Sequence, residues 1–158
     1  MPNRKANRLK GYDYSQKGGY FITICMKNKE NILWANFGGQ GISSDEKPVL
    51  SDIGLAVDIA INNIPLIYDG VLVDKYVIMP NHIHMILLLQ YEVVGGKAPP
   101  SISKIIGQLK GYVTKQVGYS IWQKLFYDRV IRNETDYKSY WQYIDENTLK
   151  WSDDEYHI

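Results

Sequence analysis

The sequence contains a single cysteine, Cys25, among its 158 residues. An internal disulfide is therefore excluded, and a chain so poor in cysteine is typical of a reducing compartment, which predicts a cytoplasmic location. The sequence also lacks an apolar run long enough to cross a bilayer, and its basic N-terminus has no apolar signal-peptide core. We therefore predict one domain over residues 1–158, with no membrane as a partner.

Net charge is also small, at +1 at pH 7, but the charges are unevenly distributed. Residues 1–18 carry five basic residues against one acid, and residues 101–132 carry six against one. Residues 134–158 carry seven acids against two lysines. The two basic segments are typical of a surface that binds a polyanion, although a mixed, solvated surface accounts for the same charges.

Only three histidines are present, and two of them, His82 and His84, lie in an otherwise almost wholly apolar run. Pro80-Asn81 interrupts that run, so we predict two antiparallel strands joined by a tight turn. Residues at i and i+2 of a strand share a face, so both imidazoles point the same way. Such a pair is either hydrogen-bonded within a core or forms half of a metal site. The large aliphatic neighbours favour the metal site, because buried imidazole nitrogens need partners.

The spacing of apolar residues elsewhere predicts an α+β fold with a ferredoxin-like antiparallel sheet. The order strand-helix-strand-strand-helix-strand is the split βαβ pattern, which places two helices on one face of the sheet. The other face is apolar beyond the histidines, so a C-terminal helix or a partner subunit must cover it. The predicted strands are Tyr20–Met26, Val71–Met79, about His82–Gln90 and Leu125–Ile131, with a further short strand over Glu30–Phe37; the helices follow Ser51 and Ser101 and end at Pro65 and Gly118.

A third helix is predicted to begin after Asn133, a good N-cap. Tyr143 lies about 100° from the centre of its apolar stripe, and Asn147, four residues on, falls on nearly the same side. This arrangement suits a site between helix and sheet, and it equally suits an amphipathic tyrosine with a solvated hydroxyl. The apolar stripe, which we predict to be core, comprises Tyr137, Tyr140, Trp141 and Ile144.

Three stretches taken together resemble the REP-associated tyrosine transposases. These enzymes belong to the HUH single-tyrosine transposases, in which U is a bulky hydrophobic residue, here Ile83. The resemblance extends from about residue 8 to residue 151, and one departure is Thr148, where the family commonly has proline. The stretches are Gly11-Tyr12-Asp13-Tyr14-Ser15 with Gly18-Gly19-Tyr20-Phe21, Met79-Pro80-Asn81-His82-Ile83-His84, and Trp141-Gln142-Tyr143-Ile144-Asp145-Glu146-Asn147.

The resemblance implies a metal-dependent enzyme that cleaves and rejoins single-stranded or hairpin DNA. By it, His82 and His84 bind Mg²⁺ or Mn²⁺, Asn147 is a third protein ligand, and Tyr143 on the C-terminal helix forms a covalent 5′-phosphotyrosine. It leaves open whether the protein acts as a monomer or as a homodimer. Residues 1–19 would form a basic arm, and the candidate DNA contacts are Arg4, Lys5, Arg8, Lys10, Lys104, Lys110, Arg129 and Arg132.

Two other functions are compatible with the sequence. A domesticated, non-catalytic relative would bind structured single-stranded nucleic acid with its basic segments and would need neither the histidines nor Tyr143. An unrelated metal protein would use His82 and His84 in oxidation or hydrolysis and would leave Tyr143 idle. A covalent protein–DNA species is expected only from the transposase-like enzyme.

Overall fold

The computed structural model describes residues 18–35, 49–90 and 100–147, which form one four-stranded antiparallel sheet and three α-helices. The sheet has the strand order β2-β3-β1-β4. The predicted α+β fold with a split βαβ order is confirmed. None of the helices in the described ranges has the length and apolar character needed to cross a membrane. The elements are β1 (Gly18–Cys25), α1 (Asp52–Ile67), β2 (Val71–Ile78), β3 (His82–Leu89), α2 (Ile102–Val117), β4 (Tyr127–Ile131) and α3 (Glu134–Glu146).

The two faces of the sheet have different partners because side chains alternate along each strand. One face packs against α1 and α2 and contributes fully buried residues such as Ile22 of β1 and Ile83 of β3. On the opposite face, Phe21 and Ile86 pack with Ile144 of α3. Of the two predicted covers for this second face, the C-terminal helix is the one observed.

One predicted helix boundary is wrong in this part of the chain. Helix α1 does not stop at Pro65 but continues to Ile67. Proline removes only its own N–H donor, and the amide of Tyr68 still bonds to the carbonyl oxygen of Ile64 at 3.0 Å. The ends of the four strands lie within two residues of their predicted positions, and three of them coincide.

The short strand predicted over Glu30–Phe37 is also wrong for the part that the structure describes. Lys27–Lys29 form a 3-10 turn, and the following segment makes a single bridge, between Trp34 and Leu50. The indole N–H of Trp34 donates to the carbonyl oxygen of Ile78 at 2.7 Å. The segment therefore packs across the end of β2 instead of pairing along it.

A β-bulge in β2 attaches α3 to the sheet. The register shifts between Val73 and Lys75, so Asp74 is an extra residue and both Asp74 and Lys75 reach the helix. The Tyr137 hydroxyl donates to the Asp74 carboxylate.

Lys75 pairs with Asp145 at 2.8 Å, and its ammonium lies 3.7 Å from a ring centre of Trp141. Trp141, predicted to be core, is 39% exposed because it covers this lysine at the rim.

Gly54 marks a close approach between α1 and the segment that precedes it. A Cβ at this position would collide with the carbonyl oxygen of Leu33. We expect Gly54→Ala to destabilise the protein by about 1–3 kcal/mol in chemical denaturation, because the backbone must shift to admit the methyl group. Gly107→Ala, on α2, is the control: a Cβ there meets nothing within 4 Å. That change should stabilise by up to about 1 kcal/mol, and equal losses in the two variants would contradict the packing argument.

Candidate functional site

His82 and His84 form a convergent pair on the α3 side of β3. Both side chains are fully buried, at 0% exposure. Their Nε2 atoms lie 3.1 Å apart, and the ring planes are inclined at 71°. Two nitrogens each about 2.1 Å from one ion, at a right angle, would be about 3 Å apart. The spacing therefore fits a pair of imidazoles that share a metal ion.

The amide of Asn81 fixes the orientation of the His82 ring. Its Oδ1 lies 2.7 Å from Nδ1 of His82, while its Nδ2 is directed at the carbonyl oxygen of Lys29 at 3.5 Å. An amide oxygen can only accept, so Nδ1 of His82 carries the proton. Nε2 of His82 then presents its lone pair toward His84, as a metal ligand requires.

Thr23 holds the second imidazole in the same manner. It stands opposite His84 in the β1–β3 register, and its Oγ1 lies 2.8 Å from Nδ1 of that ring. A hydroxyl that accepts a hydrogen bond from Nδ1–H leaves Nε2 of His84 unprotonated, which is the form of imidazole that binds a metal ion. The sequence interpretation missed Thr23 and Asn81 as the hydrogen-bond partners of the two histidine rings. Asn81 precedes His82 directly, and Thr23 is a polar residue on the face of β1 that carries Phe21 and Cys25, which are the signals that could have found them.

Replacing Thr23 tests this supporting role. Thr23→Val keeps the branched shape and removes the group that bonds to Nδ1 of His84. We expect Mn²⁺ affinity, measured by calorimetric titration, to fall about 10–100-fold, the usual cost of losing such a partner. Thr114→Val, on α2, makes the same substitution away from the site and should leave the affinity unchanged. A similar loss in both variants would argue against Thr23 as an orienting group.

Tyr143 brings α3 against the histidine pair. Its ring centre lies 5.1 Å from that of His84 and 6.1 Å from that of Phe21. Phe21 in turn stacks on His84 at 5.4 Å and on Tyr140 at 4.4 Å, so aromatic contacts fix the helix on the sheet. Tyr143 remains 38% exposed. It therefore touches the buried imidazole of His84 and is open to solvent at the same time.

The other two tyrosines of α3 that lie near the sheet differ from Tyr143 in their surroundings. The hydrogen bond from Tyr137 to the Asp74 carboxylate raises the pKa of the Tyr137 hydroxyl, because ionisation would place two anions together. Burial raises the pKa of Tyr140, which is stacked on Phe21. Of these three, Tyr143 is the one whose ring contacts a histidine of the pair.

Asn147 is placed at the C-cap of α3, one turn beyond Tyr143. It is 3% exposed, and its Oδ1 receives no hydrogen bond from any residue that the structure describes. A buried acceptor without a donor costs about 1–3 kcal/mol, which a cation bound to the oxygen would offset. Amide oxygens are ordinary ligands of hard divalent ions.

Carboxylates and cysteine do not complete a metal site beside the histidine pair in the described part of the chain. Within the described ranges, no group of three or more histidine, cysteine, aspartate or glutamate side chains is arranged to hold a metal ion. The two converging imidazoles would therefore need a further donor of another kind, and the buried amide oxygen of Asn147 is a candidate.

The predicted DNA contacts fall into three groups. Arg129 stands opposite Phe21 in the β1–β4 register, on the histidine face, and Arg132 follows the end of β4. Lys104 and Lys110 lie on α2, which packs against the other face of the sheet. The structure thus brings the two arginines to the side of the site and separates the two lysines from it. Gly18 and Gly19, the last two residues of the predicted arm, belong instead to β1. The rest of the arm lies outside the described residues, and so do the remaining four candidates: Arg4, Lys5, Arg8 and Lys10.

Comparison with known proteins supports the fold. No protein-family model matches the chain. An uncharacterized protein from Haemophilus influenzae is 31% identical, in an alignment that covers 99% of this chain and 94% of that protein. A REP-associated tyrosine transposase bound to a REP hairpin superposes with a TM-score of 0.64 at 22% identity, over 91% of this chain and 73% of that one. A candidate transposase from Deinococcus radiodurans gives a TM-score of 0.50 at 16% identity, over 88% and 95%.

Proposed function

The chain belongs to one family with the Haemophilus influenzae protein and has the fold of the REP-associated tyrosine transposases, and from this premise we propose that it cleaves and rejoins single-stranded DNA. The observation that carries the proposal is the contact between Tyr143 and His84, whose Nε2 converges with that of His82. A tyrosine hydroxyl beside two imidazoles that are spaced to bind one metal ion suits the transfer of a phosphoryl group to that tyrosine. We propose further that residues 1–158 form a single HUH transposase-like domain.

His82, His84 and Asn147 would hold Mg²⁺ or Mn²⁺. Mixed nitrogen and oxygen donors suit Mn²⁺, and Mg²⁺ favours the oxygen. When bound, the ion supplies Lewis-acid polarisation of the scissile phosphate. Asn81 and Thr23 keep the two Nε2 lone pairs directed at one point.

The hydroxyl of Tyr143 would attack the phosphorus atom in line. The new bond joins its oxygen to phosphorus, and the bond from phosphorus to the 3′-oxygen of the upstream nucleotide breaks. A proton is lost from the phenol and a proton is gained by the 3′-oxygen, which leaves a free 3′-hydroxyl and a covalent 5′-phosphotyrosine. The phosphotyrosine retains the phosphodiester's energy, so the 3′-hydroxyl of a strand can reverse the step and rejoin the DNA.

The substrate proposed is single-stranded DNA next to a hairpin. The structurally similar transposase is bound to a REP hairpin, which supports this class. Arg129 and Arg132 lie on the side of the site and would contact phosphates.

The proposal is tested with hairpin DNA that carries a single-stranded flank, incubated with the protein and Mn²⁺ and analysed by denaturing electrophoresis. Because the phosphotyrosine holds the 5′-phosphate of the downstream fragment, a 3′-end label should migrate with the protein. A 5′-end label should appear on a shorter free strand. DNA that binds without forming an adduct with either label would overturn the enzymatic proposal and favour the non-catalytic binder.

A further inference from the structure

An open groove of about 840 Å³ lies between the 3-10 turn Lys27–Lys29 and the segment from Ser120 to Lys124. We call it the lysine groove, because Lys27 and Lys29 line one wall and Lys124 lines the other. No carboxylate is among its lining residues in the described part of the chain. The groove is therefore a concentrated positive surface, and its lysines were not among the DNA contacts predicted from the sequence.

The two walls are held together by backbone pairing. The amide of Lys27 donates to the carbonyl oxygen of Ile121 at 2.7 Å, and the amide of Gln123 donates to that of Cys25 at 3.0 Å. Nζ of Lys110, on α2, donates to the carbonyl oxygen of Gln123 at 3.0 Å and so connects the second wall to that helix. Because the frame is fixed, binding a ligand in the groove requires little backbone ordering.

The first wall also contains strained backbone. Asn28 and Lys29 both have positive φ angles, 55° and 53°. Asparagine tolerates this left-handed region, but a lysine there is strained because its Cβ crowds the following carbonyl oxygen. Strain of this kind persists where the surrounding structure holds it, and it is concentrated at ligand-binding and active sites.

The lysine groove begins beside the histidine pair. Cys25, which stands opposite His82 in the register, is two residues before Lys27, or about 7 Å along an extended chain. The amide of Met26 donates to the carbonyl oxygen of Asn81 at 2.8 Å. The wall therefore packs on the Pro80-Asn81 turn, whose asparagine side chain orients His82. The groove and His82 therefore lie at the same end of the sheet.

We propose that the lysine groove binds the phosphodiester backbone of the single strand adjoining the bond that Tyr143 attacks. The location of that bond rests on the proposed function, whereas the binding of a single strand does not. Three ammonium groups on two facing walls match a flexible chain with one negative charge per nucleotide. The groove would position the strand without reading its sequence, because phosphate contacts carry no base information.

The test replaces one lysine from each wall, in Lys27→Gln/Lys124→Gln, and measures binding of fluorescein-labelled oligothymidylate of about 20 nucleotides by anisotropy. EDTA is present, so neither metal binding nor cleavage enters the result. Each lost phosphate contact should lower the slope of log K against log salt by about 0.7, so the double variant should lose about 1.4. Near 0.1 M salt this corresponds to about 25-fold weaker binding.

The matched control is Lys115→Gln/Lys138→Gln, which removes the same charge from exposed positions on α2 and α3. Its slope should stay close to that of the unaltered protein. Protection from amine acetylation by the oligonucleotide, mapped by mass spectrometry, gives a second readout: Lys27, Lys29 and Lys124 should be shielded and Lys115 should not. Equal slopes for the two double variants, or shielding of Lys115 alone, would overturn the proposal. Failure of adduct formation by the unaltered protein would instead count against the proposed function and leave this result standing.

Discussion

Tyr143→Phe is expected to abolish the covalent protein–DNA adduct, with a loss of at least about a thousandfold in its rate of formation. The change removes the oxygen that would attack phosphorus and keeps the ring that contacts His84 and Phe21. Packing of α3 is therefore preserved. Mn²⁺ and DNA affinities, measured by titration, should stay within about twofold of the original values, since neither depends on the phenol.

The matched controls are the neighbouring tyrosines of the same helix. Tyr140→Phe keeps the stacking on Phe21 and should retain most of the activity. Tyr137→Phe loses the hydrogen bond to Asp74 and should destabilise the helix by roughly 1 kcal/mol without preventing adduct formation. Peptide mapping of trapped adduct decides the assignment. DNA attached covalently to any residue other than Tyr143 would overturn the assignment.

Removing a member of the donor set should abolish metal binding. His82→Ala and His84→Ala are each expected to weaken Mn²⁺ binding by more than about a hundredfold and to eliminate cleavage. Both side chains are fully buried, so circular dichroism and denaturation must accompany the titration. Mn²⁺ affinity unchanged in both folded variants would refute the metal assignment.

The substitution Asn147→Leu distinguishes two roles of this amide, as a metal ligand or as a structural polar group. Its Oδ1 is buried and receives no hydrogen bond within the described ranges, so the amide lowers the stability of the metal-free protein by roughly 1–3 kcal/mol. A leucine of similar size should therefore leave the metal-free protein as stable or more stable, while Mn²⁺ affinity falls at least about tenfold. A variant that loses stability and keeps its Mn²⁺ affinity would show that Asn147 is structural.

Local rules were sufficient for much of the fold. The period of two in a strand placed His82 and His84 on one face, and that face is the one that α3 covers. Ser101 and Asn133 cap their helices as predicted, each accepting from the backbone N–H three residues on. Gly118 ends α2 in the left-handed conformation, at φ 97°. These features depend on residues close in sequence, so the sequence alone could specify them.

The parts that could not be predicted depend on distant residues. Thr23 meets His84 across 61 residues of chain, and no pattern within β1 identifies its partner. Trp141 has the spacing of a core residue, yet its exposure depends on Lys75 from another element. Pro65 resembles a helix end, but packing of Ile61 and Ile64 in the core extends the helix past it. In the last two cases tertiary contacts overrode a local preference.

The bulge at Asp74 has a consequence for how the chain length of this protein can vary. Deleting Asp74 would restore regular alternation in β2, with Val73 and Lys75 still opposite their present partners on β3. Only the acceptor for Tyr137 would be lost. A deletion inside β3, by contrast, would invert the side of every residue beyond it, and one between His82 and His84 would send one imidazole into the core beneath α1 and α2. Asp74 is thus a place in the sheet where evolution can add or remove a residue while the histidines stay together.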